Sequence, residues 1–181
     1  MNEQCPTLSY AVTVCNEHNE LDNLLSILCN KIDHNDEIVI LCDKGNTTQE
    51  VKDVIAKYLH EFNKVNLTVH EYGLNNDFAS YKNYLNSCCK GRYIFQLDAD
   101  EYPDSNLLYN LHVILEANPT VDVFRIPRIN IVSGITQEYI AKWGWRIGTI
   151  ETFTEEKVLD TESSEYVFLK HNNLIISETE I

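Results

Sequence analysis

The segment RYIFQLDADEY, residues 92–102, sets a run of strand-forming residues directly against two carboxylates. Tyr93 to Leu97 predicts a strand, because aromatic and β-branched residues dominate it. Asp98 and Asp100 follow, and residues two apart in an extended chain point to the same side. Two such carboxylates repel each other unless a cation lies near them, and Mg2+ and Mn2+ prefer oxygen ligands. The segment therefore predicts a strand that ends at a divalent metal site.

The Asp-x-Asp pair has an alternative interpretation as a solvated acidic turn, because the pair alone is a weak signal. The preceding strand and its expected place at the edge of a sheet favour the metal site. An EF-hand calcium loop is excluded, because Pro103 occupies the position that needs glycine and no flanking helix precedes the loop.

Strand-like and helix-like segments alternate along the chain up to residue 126. The predicted elements are, in order, strand Leu8 to Val14, helix Glu20 to Ile32, strand Glu37 to Leu41, a helix from Thr47 or Thr48 to about Phe62, strand Val65 to His70, helix Phe78 to Cys89, strand Arg92 to Leu97, a helix with Pro103 in its first turn that ends near Ala117, and strand Asp122 to Ile126. We expect Val51, Val54, Ile55 and Leu59 to face inward. This order predicts an α/β fold, a mostly parallel sheet with helices on both faces in a compact single domain.

Three polar clusters fall at the carboxyl ends of predicted strands, where ligands bind in such sheets. They are Cys15-Asn16-Glu17, Asp43-Lys44-Gly45 and Asp98-Ala99-Asp100. Asp43 could accept hydrogen bonds from a base or a ribose, or it could be a turn residue before Lys44-Gly45. Glu17 could contact a nucleotide, or the segment Asn16 to Asn19 could cap the next helix. The coincidence of the clusters at one edge predicts a ligand site there.

Four further side chains have both a functional and a structural interpretation. Lys82, on the third predicted helix, could reach a phosphate or a base, although most helix lysines are solvated. Trp143 and Trp145 could stack on a sugar, or pack in the core or a lid. His171 could close a metal site from above, or it could be structural or exposed.

Composition excludes several classes of partner. The formal net charge is −14, which disfavours nucleic acid and anionic membrane surfaces. No run approaches the ~20 apolar residues of a membrane helix, and Met1 to Pro6 lacks a signal-peptide pattern. We therefore expect a cytoplasmic protein with no integral membrane segment. The cysteines form no C-x-x-C pair, and we expect them to be reduced thiols: Cys5, Cys15, Cys29, Cys42, Cys88 and Cys89.

Together these motifs resemble glycosyltransferases of the GT-A, Rossmann-like fold, specifically family 2. Leu8 to Leu25 is similar to the family's opening strand, Asn-Glu turn and first helix. Glu37 to Thr48 resembles its second strand and Asp-containing turn, and Asp77 to Tyr102 resembles its basic helix and Asp-x-Asp strand. Phe124 to Asn130 and Trp143 to Trp145 look like a subgroup that adds sugars to lipopolysaccharide cores, with phage-carried relatives.

The resemblance implies a role for most of the polar residues. Asp43 would bind uracil, and Lys82 would lie near the base or the phosphates. Asp98 would contact the ribose or a metal-bound water, and Asp100 would ligate the Mn2+ or Mg2+ that grips both phosphates. The donor-binding set it implies is Thr13, Val14, Cys15, Asn16, Glu17, Asp43, Lys82, Asp98, Ala99 and Asp100, and the metal set is Asp98, Asp100 and, from the residue pattern, His171.

The implied function is metal-dependent transfer of a hexose from a UDP-sugar to the hydroxyl of a glycan or glycolipid acceptor, with inversion. Residues 1–102 would form the nucleotide-binding half of one minimal domain over 1–181, and 103–181 an acceptor or lid half with an acidic C-terminal tail. Inversion needs a carboxylate base, and the candidates are Glu138, Glu151 and Asp160.

Two departures from the subgroup's pattern support a second hypothesis. No Trp-x-Asp follows Trp145, and the residue directly after His171 is Asn172 and not Glu. The alternative is a non-catalytic nucleotide-binding or scaffold protein that retains the fold without a complete acceptor site. A nucleotidyltransferase is less well supported, because Cys15 to Glu20 lacks the glycine-rich, basic phosphate loop that it would need.

Overall fold

Two central strands, β1 (Leu8–Val14) and β2 (Glu37–Asp43), are buried at every residue. Such strands occur where helices cover both faces of a parallel sheet. A computed structural model provides this description, which covers residues 7–61, 65–126, 138, 142, 147–148 and 175–176. The remaining helices and strands are α1 (His18–Lys31), α2 (Gln49–Glu61), β3 (Asn66–Tyr72), α3 (Phe78–Cys88), β4 (Tyr93–Asp98), α4 (Ser105–Ala117), β5 (Ile147–Gly148) and β6 (Ile175–Ile176).

The main sheet has the order β3-β2-β1-β4, and every pairing in it is parallel. The first two crossovers move in one direction along the sheet, and the third, through α3, moves back past β1. Because such crossovers are right-handed, α1 and α2 lie on one face and α3 on the other. This confirms the predicted α/β fold with a parallel sheet. Apart from it, β5 and β6 form a two-residue antiparallel pair.

Each face of the sheet has its own apolar contacts. On the α3 face, Tyr81 and Leu85 pack against Ala11, Val39 and Leu41. On α1, four buried leucines recur at the spacing of one helical face, as the sequence predicts. They are Leu21, Leu24, Leu25 and Leu28.

A buried polar network joins β1, β2 and the turn before β4. The Ser9 hydroxyl donates a 2.6 Å hydrogen bond to Glu37 Oε1, and Glu37 is fully buried. The backbone N–H groups of Lys90 and Gly91 donate to Glu37 Oε1 and Ser9 Oγ. A buried carboxylate requires such partners, so the turn at Gly91 must approach Ser9 closely.

We expect Gly91→Ala to lower the free energy of unfolding by about 2–3 kcal/mol. A Cβ atom at this position would lie 2.6 Å from both the backbone nitrogen and the hydroxyl of Ser9. Urea denaturation measures the loss. Gly73→Ala is the matched control, because its Cβ would meet only the end of the Asn75 side chain, at 3.0 Å. Equal midpoints for the two variants would contradict the close approach.

A second buried carboxylate, Asp36, anchors α4. Its Oδ1 accepts from the backbone N–H of Leu8 at 3.1 Å, and its Oδ2 lies 2.9 Å from His112 Nε2. Burial raises the pKa of this carboxyl above its ordinary 3.8, and His112 opposes the rise. The pKa of Asp36 is therefore higher in the folded chain than in the unfolded chain. The contribution of Asp36 to the free energy of unfolding is complete below pH 3.8 and is lost as the pH rises through the pKa of the folded chain.

Asp36→Asn removes this titration. The free energy of unfolding of the variant relative to wild type should therefore increase as the pH rises from about 3 to about 6. Chemical denaturation across that range measures it. Asp77→Asn should give the opposite slope, because hydrogen bonds from Ser80 lower the pKa of Asp77. Parallel stability curves for Asp36→Asn and wild type would refute the expectation.

The structure corrects three sequence predictions. Asp122 to Ile126 is not a strand, and most of its side chains are exposed. Leu59 is 50% exposed, and Tyr58 is buried instead, because its hydroxyl donates to the Asp22 carbonyl on α1 at 2.9 Å. Pro103 lies before α4 and not in its first turn.

The start of α4 is determined by Asp104. Its carboxylate accepts from the backbone N–H of Asn106 at 2.8 Å, which makes it the capping residue. Other boundaries shift by one or two residues: α1 begins at His18, and β2 and β3 extend to Asp43 and Tyr72.

Two further properties concern the chain as a whole. Its contacts divide it into the units Met1–His112 and Val113–Ile181. One domain with halves at 1–102 and 103–181 stays a prediction. Within the described ranges, no helix has both the length and the hydropathy that crossing a bilayer requires.

Candidate functional site

The carboxyl ends of β1 and β4 meet at Thr13 and Asp98, which are register partners. The Thr13 hydroxyl donates a 2.6 Å hydrogen bond to Asp98 Oδ1, and the Thr13 carbonyl accepts from Ala99 N at 3.1 Å. Glu101 closes the turn, because its carboxylate accepts from Asp98 N at 3.0 Å. Asp98 is half-exposed and Asp100 exposed, so the Asp-x-Asp turn opens to solvent beside a buried strand end.

Lys82 on α3 joins this pair from the neighbouring face. Its Nζ lies 2.7 Å from Asp98 Oδ1 and 3.0 Å from the Thr13 hydroxyl, and 5.4 Å from the centre of the Phe78 ring. Its side chain is 16% exposed, against 45% for Asp98. Lys82 is therefore part of the site, and its interpretation as a purely solvated helix lysine is wrong.

Two anchors hold α3, and with it Lys82, over the sheet. The helix begins after Asp77, whose carboxylate accepts from Ser80 N at 3.0 Å. One turn further on, the Tyr81 hydroxyl donates to the Leu41 carbonyl of β2 at 3.1 Å. The preceding turn contains Asn75 and Asn76 with φ of 47° and 59°, a region that asparagine tolerates better than most residues.

Asp43 ties two loops together at the end of β2. Its Oδ1 accepts from Leu74 N at 2.9 Å and its Oδ2 from Asn46 Nδ2 at 2.8 Å, while its carbonyl accepts from Thr47 N at 3.0 Å. Its turn role is thus observed. Each carboxylate oxygen has a second lone pair, so this does not preclude a contact with a ligand.

The loop after β1 folds around Glu17. Its Oε2 accepts from the backbone N–H groups of Cys15 and Asn16, at 2.9 and 3.0 Å. Burial, Asp43 and Glu17 raise the pKa of the Cys15 thiol. A neutral thiol is a poor nucleophile, so covalent catalysis by Cys15 is not favoured.

These elements enclose a cleft of about 310 Å³ at the carboxyl edge of the sheet. Eight of the ten residues of the predicted donor-binding set line it. Asn16 and Lys82 do not, but Asn16 is exposed and Lys82 donates to Asp98. The lining consists of Thr13, Val14, Cys15, Glu17, Asp43, Leu74, Phe78, Tyr81, Asp98, Ala99 and Asp100.

Sequence reasoning missed the apolar part of the lining, Leu74, Phe78 and Tyr81. Phe78, Tyr81 and Leu85 recur at the spacing of one helical face, a pattern that predicts core burial. The 58% exposure of Phe78 shows that the start of this face forms the cleft wall instead. Only the placement of α3 over the strand ends could reveal it.

The residues predicted for catalysis are less well described. Glu138 is helical and exposed. Glu151, Asp160, His171, Trp143 and Trp145 lie outside the described residues. The catalytic base and the histidine metal ligand therefore stay predictions.

The described residues contain no group of three His, Cys, Asp or Glu side chains arranged to hold a metal. Asp98 and Asp100 provide carboxylate oxygens at the open end of the cleft. A divalent ion that keeps water and substrate phosphate ligands needs only one or two carboxylates. The residues present therefore fit a metal that is completed by a phosphorylated ligand.

The fold and cleft define an α/β protein with an acidic ligand site at the carboxyl edge of a parallel sheet. The chain belongs to glycosyl transferase family 2, whose model matches residues 9–171. It is 27% identical over 120 residues to an uncharacterized glycosyltransferase of Haemophilus influenzae, across 64% of this chain and 35% of that protein. The chain spans about a third of this relative's length.

Solved structures support the fold. S. aureus TarS 1-349 in complex with UDP has a TM-score of 0.55 at 20% identity, over 67% of this chain and 38% of that one. S. aureus TarS has a TM-score of 0.52 at 20% identity, over 67% of this chain and 23% of that one. At these identities the likeness concerns the fold alone.

Asp43→Ala should lower the free energy of unfolding by about 2 kcal/mol. The change leaves the donors Leu74 N and Asn46 Nδ2 without their carboxylate acceptor. Urea denaturation measures it, with Asp53→Ala on the exposed side of α2 as the control, expected within about 0.5 kcal/mol. Equal stability of the two variants would show that Asp43 does not hold the loops.

Proposed function

We propose that the chain transfers a sugar from a nucleotide-sugar, with UDP as the nucleotide, to an acceptor hydroxyl, and that a divalent cation is required. The observation that carries the proposal is the cleft that joins Asp43 to Asp98 and Asp100 at the strand ends. Family membership supports the reaction class. The UDP bound to TarS in the similar structure supports the choice of nucleotide.

The lining divides the cleft into two parts with different chemistry. Asp43 and the apolar side chains of Leu74, Phe78 and Tyr81 suit a nucleobase, which needs a hydrogen-bond acceptor and flat apolar walls. Thr13, Asp98 and Asp100, with Lys82 behind Asp98, suit the ribose and the diphosphate. The donor would therefore extend from the β2 end of the cleft to the β4 end.

The cation would lie at Asp98 and Asp100, as Mn2+ or Mg2+, with His171 as a further candidate ligand. When bound, it would neutralise the charge that develops on the leaving diphosphate. The protein's own contribution is to hold the carboxylates in place, through Thr13 and Lys82 at Asp98 Oδ1.

Inverting transfer would proceed by in-line attack of the acceptor hydroxyl on the anomeric carbon while a carboxylate takes its proton. Glu138, Glu151 and Asp160 are the candidate bases. A glycan or glycolipid acceptor follows from the resemblance to lipopolysaccharide-type relatives. Trp143 and Trp145 would belong to a lid that excludes water. A cytoplasmic location stays a prediction.

A chain that binds the donor without turnover is the second candidate. The absence of a Trp-x-Asp segment after Trp145 favours it. Donor hydrolysis separates the two, since metal-dependent release of UDP above background requires a catalytic site.

Calorimetric titration of UDP in Mn2+, repeated in EDTA, tests the proposed site. We expect binding only with the metal, and Asp100→Ala should abolish it, because the cation loses a ligand that links it to the protein.

Asp53→Ala removes a carboxylate outside the cleft and should bind UDP as wild type does. Unchanged, metal-dependent binding by Asp100→Ala would refute the metal role of Asp100. Absence of UDP binding by the wild-type chain would refute the choice of donor.

A further inference from the structure

The Lys82 ammonium lies where a cation at Asp98 would exert its charge. Its Nζ is 2.7 Å from Asp98 Oδ1 and shares that oxygen with the Thr13 hydroxyl. The side chain is only 16% exposed, so the ion pair is largely shielded from solvent on the lysine side. The chain by itself thus already has a positive charge paired with the first carboxylate of the Asp-x-Asp turn.

Besides Asp98, two groups contact the ammonium at this position. The Thr13 hydroxyl accepts from Lys82 Nζ at 3.0 Å, and the Phe78 ring lies beneath it at 5.4 Å. A cation near an aromatic face is stabilised by the ring's electron density. The helix that carries both residues is anchored to β2 through Tyr81. The pair is therefore a built feature and not an incidental surface contact.

A divalent ion that approaches Asp98 meets this ammonium, and like charges a few ångströms apart repel strongly in a partly buried site. The repulsion ends when a diphosphate arrives, because phosphate oxygens can accept from Lys82 and coordinate the metal at the same time. The two ligands should consequently favour each other's binding.

We propose that Lys82 is a positioning residue that substitutes for the metal at Asp98 in the nucleotide-free chain and moves to the diphosphate on donor binding, so that cation and nucleotide bind together. The proposal rests on the proposed donor site but adds a specific coupling. It predicts that the chain has low affinity for Mn2+ alone and gains affinity when UDP is present. Thermodynamic linkage requires that Mn2+ raise the affinity for UDP by the same factor.

The test is calorimetric titration of Mn2+ into the full chain, without and with saturating UDP. In the wild type, UDP should tighten Mn2+ binding at least about tenfold. In Lys82→Met, Mn2+ alone should bind about tenfold more tightly than in the wild type, because the competing charge is gone. UDP in Mn2+ should bind that variant about tenfold more weakly, because a charged partner of the diphosphate is lost.

Three controls distinguish charge from structure. Lys82→Arg retains the charge and should keep Mn2+ binding weak. Thr13→Val removes the hydroxyl but not the ammonium, and should not tighten Mn2+ binding. Lys57→Met removes a lysine from an ion pair of the same length, 2.7 Å to Asp22, outside the cleft, and should change neither titration.

The failure of this inference differs from the failure of the proposed function. The inference is overturned, and the proposed function stands, if the wild type binds UDP in Mn2+ but Lys82→Met binds Mn2+ without UDP no more tightly than the wild type does. If UDP does not bind, the titrations with Mn2+ alone still test the inference. Tighter Mn2+ binding by Lys82→Met than by the wild type supports competition between the ammonium and Mn2+, and equal affinities reject it. Thermal melts of each variant show whether it is folded.

Discussion

The parallel pairing of β1 with β4 is the constraint on which the site depends. It places Thr13 beside Asp98. At the strand ends the Thr13 hydroxyl donates a hydrogen bond to Asp98, and the Thr13 carbonyl accepts one from Ala99 N. β1 also pairs with β2, so Asp43 comes to the same edge. Without β1 between them, the acidic ends of β2 and β4 would not share a cleft. Because parallel strands end at one edge, this single strand order brings residues from distant parts of the chain into contact.

Charge is the second determinant of the site. The overall field of a protein of net charge −14 repels a diphosphate, so the proposed donor would need local positive charge at the site. Lys82 is the cation that the structure places at Asp98, and it is held there by Thr13 and the Phe78 ring. The remaining charge of the cleft is negative, from Glu17, Asp43 and the Asp-x-Asp turn. This imbalance is the physical basis on which the proposed site would take a divalent ion together with the proposed donor.

Stability and site occupy opposite edges of the same sheet. At the amino ends of the strands, the buried carboxylates of Asp36 and Glu37 accept hydrogen bonds from Leu8 N, Ser9 and the turn before β4, and Asp36 also contacts His112. Glu37 Oε2 has no hydrogen-bond partner among the described residues. At the carboxyl ends, Asp43 is buried and accepts hydrogen bonds through both oxygens, whereas Asp98 is partly exposed and Asp100 exposed, and all three line the cleft. The same residue type therefore serves packing at one edge of the sheet and lines a cleft at the other.

The sequence by itself determined the alternation of strands and helices, because the apolar runs of β1 and β2 and the leucine face of α1 have clear patterns, and it identified the acidic strand ends. It could not determine that Phe78 lines the cleft while Leu85 on the same helical face is buried. It also assigned a strand to Asp122–Ile126, where local β propensity has no paired strand to realise it in the described residues. Tertiary structure alone decided that Lys82 pairs with Asp98, because that contact requires α3 to cross the sheet at one position, and residue spacing carries no information about where a helix lies on a sheet.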